Sequence, residues 1–249
     1  MDSESRTGRE KGVCPKRGNR IRSFVLRAGR MSAAQKRSYE TLFPLYALKG
    51  DQSGRTGRIE SEELFGNAGP LVIEIGFGMG TATAGIAEAN PGINYLGIDV
   101  HRPGIGRLLW EIEKRGLKNI RIIEGDAVEI LEQKVNDSSV SAFHIFFPDP
   151  WPKKRHHKRR LIRRGFTDLL CAKLLPGGYL YMVTDWADYG DWALRELSET
   201  PGLKNRYSAF AEEQEWRPKT EFERKGLLKN HEIRELYFNR YIANNTLER

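Results

Sequence analysis

From Pro70 onward, short apolar runs alternate with segments that have helical periodicity. The runs predict strands at residues 71–75, 94–99, 119–123, 140–147 and 179–184, and the segments predict helices at residues 82–89, 104–114, 127–135 and 161–175. Alternation with short connections is typical of an α/β protein whose parallel sheet carries helices on both faces. A helix from residue 186 to about residue 200 and strands near 206–210 and 236–242 would complete a doubly wound, mostly parallel, seven-stranded sheet.

The residues before this pattern predict a tail and one helix. Residues 1–20 are charged and nearly devoid of apolar side chains, which predicts a disordered basic tail followed by a single domain over residues 21–249. The mixed cationic and apolar segment 20–30 is a candidate to dock on that domain. Residues 32–35 have the form of a capping box, which predicts a helix to about residue 48. Residues 50–57 form a polar, glycine-rich break.

Positive charge is concentrated in two segments. Residues 1–37 hold eleven Lys or Arg against three Asp or Glu, and residues 153–164 hold eight Lys or Arg and no acidic residue. The whole chain has a formal net charge of +8, so the remainder is acidic. Clustered cations favour a polyanionic partner such as RNA, because they release the counterions of its phosphates. A solubilising tail and a solvated helix face are the alternative interpretation.

A glycine-rich loop follows the first strand of the alternating region, with Glu74 directly before Gly76, Gly78 and Gly80. Ligands of open α/β sheets bind at this edge, where glycines permit close approach of the backbone. A carboxylate beside the loop would repel a pyrophosphate but attract an ammonium or sulfonium group, which favours S-adenosylmethionine over a nicotinamide dinucleotide.

Two further acids end the next two strands. Asp99 is placed to accept ribose hydroxyls, and Asp126 is placed to accept an adenine amino hydrogen. Each could instead cap a helix. Three acids at the ends of successive strands form a stronger signal than any one of them.

Residues 146–160 join a strand end to the second cationic segment. Asp149 stands between Pro148 and Pro150, so it is either a turn residue or a carboxylate held in place for catalysis. Trp151 is either a platform for a base or a cap on the core. His156 and His157 lack a metal-ligand partner at helical spacing, and no metal site is expected.

Two cysteines far apart indicate neither a disulfide framework nor a zinc site. No apolar run is long enough to span a bilayer, so no membrane association and a cytoplasmic location are expected.

Several stretches resemble the bacterial tRNA (guanine-N7)-methyltransferase family from about Arg20 to the C-terminus. They are residues 74–80, 97–106, 147–153 with the cationic run behind them, 183–186 and 220–226. The resemblance implies a class I, Rossmann-like methyltransferase that transfers a methyl group from S-adenosylmethionine to N7 of guanosine 46 in the variable loop of tRNA. A monomer or weak homodimer is expected.

The resemblance also implies residue roles, and Asp149 would act at the reaction centre. The cofactor would contact Glu74, Gly76, Gly78, Gly80, Asp99, Asp126 and Asp149. The substrate would contact Lys153, Asp185, Thr220, Glu221, Phe222 and Glu223. RNA would contact Lys154, Arg155, His156, His157, Lys158, Arg159 and Arg160. Family members often have glutamate at position 99 and lysine at position 221; the second difference reverses a charge.

Guanine N7 carries a free lone pair, so no proton has to leave before attack. We therefore expect Asp149 to orient the base and stabilise charge rather than act as an obligatory general base. The alternatives are a methyltransferase for another RNA, a protein or a small molecule, and a non-catalytic RNA-binding module. A nicotinamide oxidoreductase is disfavoured by Glu74 and the glycine spacing.

Overall fold

The computed structural model describes residues 21–25, 29–49 and 58–241, so the predicted tail 1–20 and the break 50–57 lie outside the described residues. The strands are β1 Ala47–Lys49, β2 Leu71–Ile75, β3 Asn94–Asp99, β4 Ile120–Glu124, β5 Val140–Phe146, β6 Leu174–Thr184, β7 Leu203–Asn205 and β8 Arg234–Arg240. The helices are α1 Ala33–Tyr46, α2 Ser61–Phe65, α3 Thr81–Ala89, α4 Arg102–Arg115, α5 Ala127–Lys134, α6 Arg164–Lys173, α7 Ala187–Ser198 and α8 Glu221–Leu227. A 3₁₀ helix spans Lys154–Arg159.

The described strands form one eight-stranded sheet in the order β1-β4-β3-β2-β5-β6-β8-β7. Strands β1 to β6 pair in parallel, and β8 runs antiparallel to both β6 and β7. The predicted doubly wound, mostly parallel sheet is confirmed. The predicted number of seven strands is wrong, because the described residues contain eight.

The extra strand lies where the sequence predicted the end of a helix. The capping box is present, since Ser32 accepts the backbone N–H of Gln35 and Gln35 accepts that of Ser32. Helix α1 nevertheless ends at Tyr46, and Ala47 pairs with Ile122 at the free edge of β4. This edge pairing overrides the local helical preference.

The predicted strand at residues 206–210 is also wrong, because β7 ends at Asn205. The Asn205 side chain accepts the backbone N–H of Tyr207 at 3.1 Å and donates to the carbonyl of Ala209 at 2.7 Å. An asparagine that bonds nearby backbone in this way favours a turn over a ladder.

The strand order reverses at β2, because β3 and β4 extend from one side of this strand and β5 and β6 from the other. All five residues of β2 are buried, and one of them is Glu74. A sheet with this topology opens a crevice at the carboxyl ends of its central strands. Apolar clusters on the two faces hold the strands rigidly, and they include Ile73, Leu96 and Phe143 on one face and Tyr95, Ile105 and Leu108 on the other.

Candidate active site

A cleft of about 520 Å³ opens at the carboxyl ends of β2, β3, β4 and β5. Its volume falls in the range of roughly 300–1,000 Å³ that suits a small-molecule cofactor. All the residues that the sequence assigned to a cofactor line this one cleft: Glu74, Gly76, Gly78, Gly80, Asp99, Asp126 and Asp149. The fold therefore brings together acids that are far apart in the chain.

The glycine loop between β2 and α3 forms the floor of the cleft. Gly76, Gly78 and Gly80 have φ values of 76°, 58° and 69°, which side chains other than glycine rarely adopt. A Cβ on Gly80 would meet Leu108 at 2.6 Å. The backbone conformation therefore favours glycine at all three positions, and the close packing of α4 behind the loop additionally requires it at position 80.

Asp99 supports this loop from the end of β3. One carboxylate oxygen accepts the N–H of Gly78 at 3.0 Å, and the other accepts those of Val100 and His101 at 2.7 and 2.9 Å. Burial raises the pKa of this carboxyl, while the three backbone donors lower it. Asp99 thus fixes the loop and also lines the cleft beside it.

Glu74 is a buried acid in the wall of the cleft. It is 3% exposed, and burial raises its pKa from 4.5 to about 8, with a smaller contribution from the charge of Asp99. A carboxyl in this environment is protonated near neutral pH unless a cation enters the cleft. The site is thus suited to a ligand that carries positive charge.

Asp126 performs the structural role that the sequence left open. It is the N-cap of α5, and its side chain accepts the N–H of Val128 at 3.0 Å. It also lines the cleft, so capping does not remove it from the site.

The turn that carries Asp149 is held in an uncommon conformation. Phe147 and Trp151, on either side of the proline-flanked acid, have φ values of 50° and 46°. Such non-glycine residues cost about 1–3 kcal/mol each and persist only where surrounding contacts enforce them. The N–H of Phe147 donates to the carbonyl of Val183 at 2.8 Å, which ties the turn to β6. Asp149 lies exposed at the cleft.

The Trp151 ring is already engaged within the protein. Its N–H donates to the carbonyl of Ser23 at 2.9 Å, and the guanidinium carbon of Arg159 lies 4.0 Å from its ring centroid. These contacts favour the capping interpretation over a base platform. Phe222 is better placed for stacking, because it lines the cleft, is 59% exposed and has its ring centroid 6.5 Å from that of Phe147.

The N-terminal residues 21–25 dock on this region, as the sequence predicted for segment 20–30; residues 26–28 lie outside the described residues. Ser23, Phe24 and Val25 line the cleft. The carbonyl of Phe24 accepts an N–H of Arg159 at 3.0 Å. The side chains of Trp151 and Arg159 thus hold Ser23 and Phe24, which form part of one wall of the cleft, by hydrogen bonds to their backbone carbonyls.

The cationic segment divides into exposed and buried side chains. Lys153, Lys154, Arg155 and Lys158 are exposed, and His156, His157 and Arg159 are half-buried. Arg160, which the sequence assigned to RNA, is 1% exposed. Nε and Nη2 of its guanidinium are hydrogen-bonded to Pro150 and Asp188 inside the protein, and its contact with RNA stays a prediction.

Only some of the residues that the sequence assigned to the substrate line the cleft. Thr220, Glu221 and Phe222 line the cleft, whereas Lys153, Asp185 and Glu223 do not. A carboxylate oxygen of Asp185 lies 3.1 Å from Nδ1 of His231. Glu221 pairs with Arg224 at 2.8 Å, and this hydrogen bond lowers the pKa of Glu221.

The side chain of Glu223 is hydrogen-bonded within the protein, and its contact with the substrate stays a prediction. Thr220 and Glu223 form the capping box of α8. Both carboxylate oxygens of Glu223 accept hydrogen bonds from Arg217, at 2.6 and 3.1 Å, and Arg217 also donates to Glu235 at 2.6 Å. Sequence reasoning missed Arg217 and Glu235, since no motif marks a cation that will be buried between two acids.

Gly104 is another residue that the sequence did not single out for the site. A Cβ at this position in α4 would lie 1.8 Å from the carbonyl oxygen of Gly78. The substituted helix would have to move away from the glycine loop.

We expect Gly104→Ala to destabilise the protein by about 1–3 kcal/mol, as overpacking does. Gly85→Ala is the matched control, because a Cβ on this helical glycine meets nothing within 4 Å. The control is expected to gain roughly 0.5–1 kcal/mol from its better helix propensity. Urea unfolding of both variants measures the difference, and equal stabilities would contradict the close approach.

Among the described helices, none has the length and apolar character needed to cross a membrane. Within the same described part of the chain, no group of three or more His, Cys, Asp or Glu side chains is placed to hold a metal ion.

Comparison with solved structures bears on the fold alone. The structure resembles the crystal structure titled as the 16S rRNA methyltransferase KamB, with a TM-score of 0.58 over 80% of this chain and 100% of that chain. Sequence identity to KamB is 16%.

Comparison with sequences identifies the family. The model of a family described as "Putative methyltransferase" matches residues 68–236. The tRNA (guanine-N(7)-)-methyltransferase of Nitrosospira multiformis is 48% identical over 88% of this chain and 93% of its own length. That of Methylobacillus flagellatus is 45% identical over 88% of this chain and 91% of its own length. The chain belongs to the tRNA (guanine-N(7)-)-methyltransferase family.

Proposed function

We propose that this protein transfers a methyl group from S-adenosylmethionine to N7 of guanosine 46 in the variable loop of tRNA. The observation that carries the proposal is one cleft, lined by Glu74, Asp99, Asp126 and Asp149, beside the exposed cations of residues 153–158. We further propose that the enzyme works in the cytoplasm as a monomer or weak homodimer.

The chemistry of the cleft fits this cofactor. Glu74 offers a buried carboxylate to its positive charge, and the positive-φ glycines leave backbone exposed for close approach. Asp99 and Asp126 offer acceptor oxygens, which suit ribose hydroxyls and an adenine amino group. When bound, S-adenosylmethionine supplies an electrophilic methyl group.

The aromatic part of the cleft lining fits a guanine base. Phe222 presents an exposed ring next to Phe147, and base–aromatic stacking contributes about 1–3 kcal/mol per base. Asp149 also lines the cleft and can accept N–H groups from the edge of the base. These residues would hold a base that has left its stack, as enzymes acting on nucleobases require.

The exposed cations fit the tRNA backbone. Lys153, Lys154, Arg155 and Lys158 are exposed on or beside the 3₁₀ helix, which follows Asp149 directly. Phosphates bound there would place the RNA at the mouth of the cleft.

Labelled methyl transfer to an unmodified tRNA transcript, followed by nucleoside analysis, tests the proposal. We expect 7-methylguanosine as the product. A transcript with 7-deazaguanosine at position 46 is the matched control, since it differs from guanosine by the loss of N7. Label retained on that transcript, another modified nucleoside, or no transfer to tRNA would contradict the proposed function.

The raised pKa of Glu74 predicts that cofactor affinity depends on pH. A cation in the cleft requires the ionised carboxylate, so binding below the pKa of about 8 must release a proton. We expect affinity for S-adenosylmethionine to rise by up to about tenfold per pH unit between pH 6 and pH 8. Isothermal calorimetry in buffers of different ionisation enthalpy measures both the affinity and the released proton.

The variant Glu74→Gln tests whether Glu74 causes the pH dependence of the affinity for S-adenosylmethionine. The variant is expected to lose the pH dependence and to bind roughly 100-fold more weakly at pH 8. Without cofactor it should be more stable than the wild type by about 1–3 kcal/mol at pH 8.5, because a carboxyl whose folded pKa is raised loses stability as pH rises. Glu63→Gln, at an exposed position of α2, is the control. A wild-type affinity that is flat from pH 6 to pH 8 would contradict the role of Glu74.

A further inference from the structure

Arg160 is the last residue of the run 153–160 and differs from the exposed cations before it. Its guanidinium lies between two aromatic rings of α7, with its carbon 5.1 Å from the centroids of both Tyr189 and Trp192. It also donates to Asp188, and this hydrogen bond lowers the pKa of Asp188. Three side chains from two adjacent turns of α7 thus enclose one buried cation.

The remaining contact of Arg160 reaches the turn that carries Asp149. Its Nε donates to the carbonyl of Pro150 at 3.0 Å. Pro150 follows Asp149 directly, and both flanking prolines restrict the backbone of the turn. The position of the Pro150 carbonyl therefore governs where the Asp149 carboxylate stands.

The same helix holds the chain on the other side of the cationic segment. The hydroxyl of Tyr189 accepts the N–H of Ile162 at 3.1 Å, and the indole N–H of Trp192 donates to the carbonyl of Ile162 at 2.7 Å. Helix α7 thus holds Ile162 directly and Pro150 through Arg160, with the 3₁₀ helix between these two points. Such anchoring can enforce the positive φ values of Phe147 and Trp151.

We propose that Arg160 is a positioning residue: through Pro150 it sets the orientation of Asp149, and it fixes the offset between that carboxylate and the exposed RNA-binding cations. The inference rests on the proposed function, because Asp149 must act on the bound base. Arg160 contributes no phosphate contact of its own. Its charge is used within the protein, whereas the charges of Lys154, Arg155 and Lys158 face solvent.

Substitutions of the buried Arg160 and of an exposed cation such as Lys158 should have different kinetic effects. Arg160→Lys keeps the charge but loses the planar fork that serves Pro150 and Asp188 together. We expect its kcat to fall 10- to 100-fold, with the KM for tRNA and the salt dependence of kcat/KM unchanged. Lys158→Ala is the comparison, and its effect should be a several-fold higher KM and a smaller salt dependence, as the loss of a phosphate contact requires.

Asp188→Asn supplies a second test at a side chain that is 65% exposed and therefore tolerant of replacement. It removes the charge that holds the guanidinium but leaves Arg160 in place. We expect a two- to fivefold fall in kcat, again without a change in KM for tRNA or in salt dependence.

The outcomes separate this inference from the proposed function. If wild-type protein transfers no methyl group to tRNA, the proposed function fails. If the wild type is active and Arg160→Lys raises KM and flattens the salt dependence as Lys158→Ala does, Arg160 is an RNA contact and the inference fails. A folded Arg160→Lys or Asp188→Asn with wild-type kcat would also overturn it.

Discussion

Replacement of Arg217 by methionine is expected to lower the free energy of unfolding by about 3–5 kcal/mol at pH 8, the typical cost of leaving buried carboxylates without their cation. The Arg217 side chain has no exposed surface and bridges Glu223 to Glu235. Glu235 also accepts the hydroxyl hydrogen of Tyr181. The substitution keeps most of the volume of the side chain and removes the charge.

The loss should depend on pH. Burial already raises the pKa of Glu235 to about 7, and removal of Arg217 would raise it further. The variant can relieve its unpaired charge by taking up protons, so its stability relative to the wild type should improve as pH falls from 8 to 6. Urea unfolding at both pH values measures this.

Arg224→Met is the matched control on α8. Arg224 pairs with Glu221, but the two side chains are 60% and 72% exposed, and such pairs contribute about 1 kcal/mol or less. Equal losses of unfolding free energy in Arg217→Met and Arg224→Met would show that the buried ion pairs of Arg217 with Glu223 and Glu235 do not stabilise the protein. Residues 218–222 lie between Arg217 and Glu223 in the chain and line the cleft. We therefore also expect Arg217→Met to weaken substrate binding.

The assembly of the cleft was predictable from the chain because it follows from strand order and strand ends. Buried parallel strands are mainly apolar, and an acid at or just after the end of such a run must lie near the carboxyl edge of the sheet. Glu74 and Asp99 lie within the last two residues of β2 and β3, and Asp126 and Asp149 follow the ends of β4 and β5 by two and three residues, so four positions spread over the chain could be placed together. The glycine loop was also predictable, because closely spaced glycines after a strand indicate a backbone conformation that other residues rarely adopt.

The fate of individual charges was not predictable in this way. Arg159 and Arg160 are adjacent and chemically identical, yet one contacts Trp151 and the other is enclosed by Tyr189 and Trp192. The environment of Arg160 is set by aromatic residues about 30 positions further along, and no local pattern records that packing. Glu223 gives the same lesson, since its partner Arg217 belongs to no motif.

The edge strand β1 was missed for a related reason. Local preference favours helix for residues 32–48, but the unpaired edge of β4 offers hydrogen bonds that the last residues of this segment accept instead. Tertiary pairing decides such short elements.

Asp149 carries the largest predicted effect on catalysis. Attack by N7 uses a lone pair that is already free, and the product bears a positive charge on the guanine ring. A carboxylate that accepts N–H groups from that ring becomes more strongly bonded as the charge develops, which lowers the barrier. The structure supports this role with a turn that is held in place by β6 and α7.

We expect Asp149→Ala to reduce kcat by roughly 1,000-fold and Asp149→Asn by roughly 10- to 100-fold, because asparagine retains the shape and one acceptor oxygen but not the charge. If Asp149 were an obligatory base, a proton transfer would contribute to the rate and a solvent isotope effect would accompany turnover. We expect single-turnover rates in H₂O and D₂O to be nearly equal instead. Near-full turnover by Asp149→Asn with unchanged cofactor affinity would refute charge stabilisation, and a large isotope effect in the wild type would restore the base. The two measurements together distinguish a carboxylate that positions and stabilises from one that takes a proton.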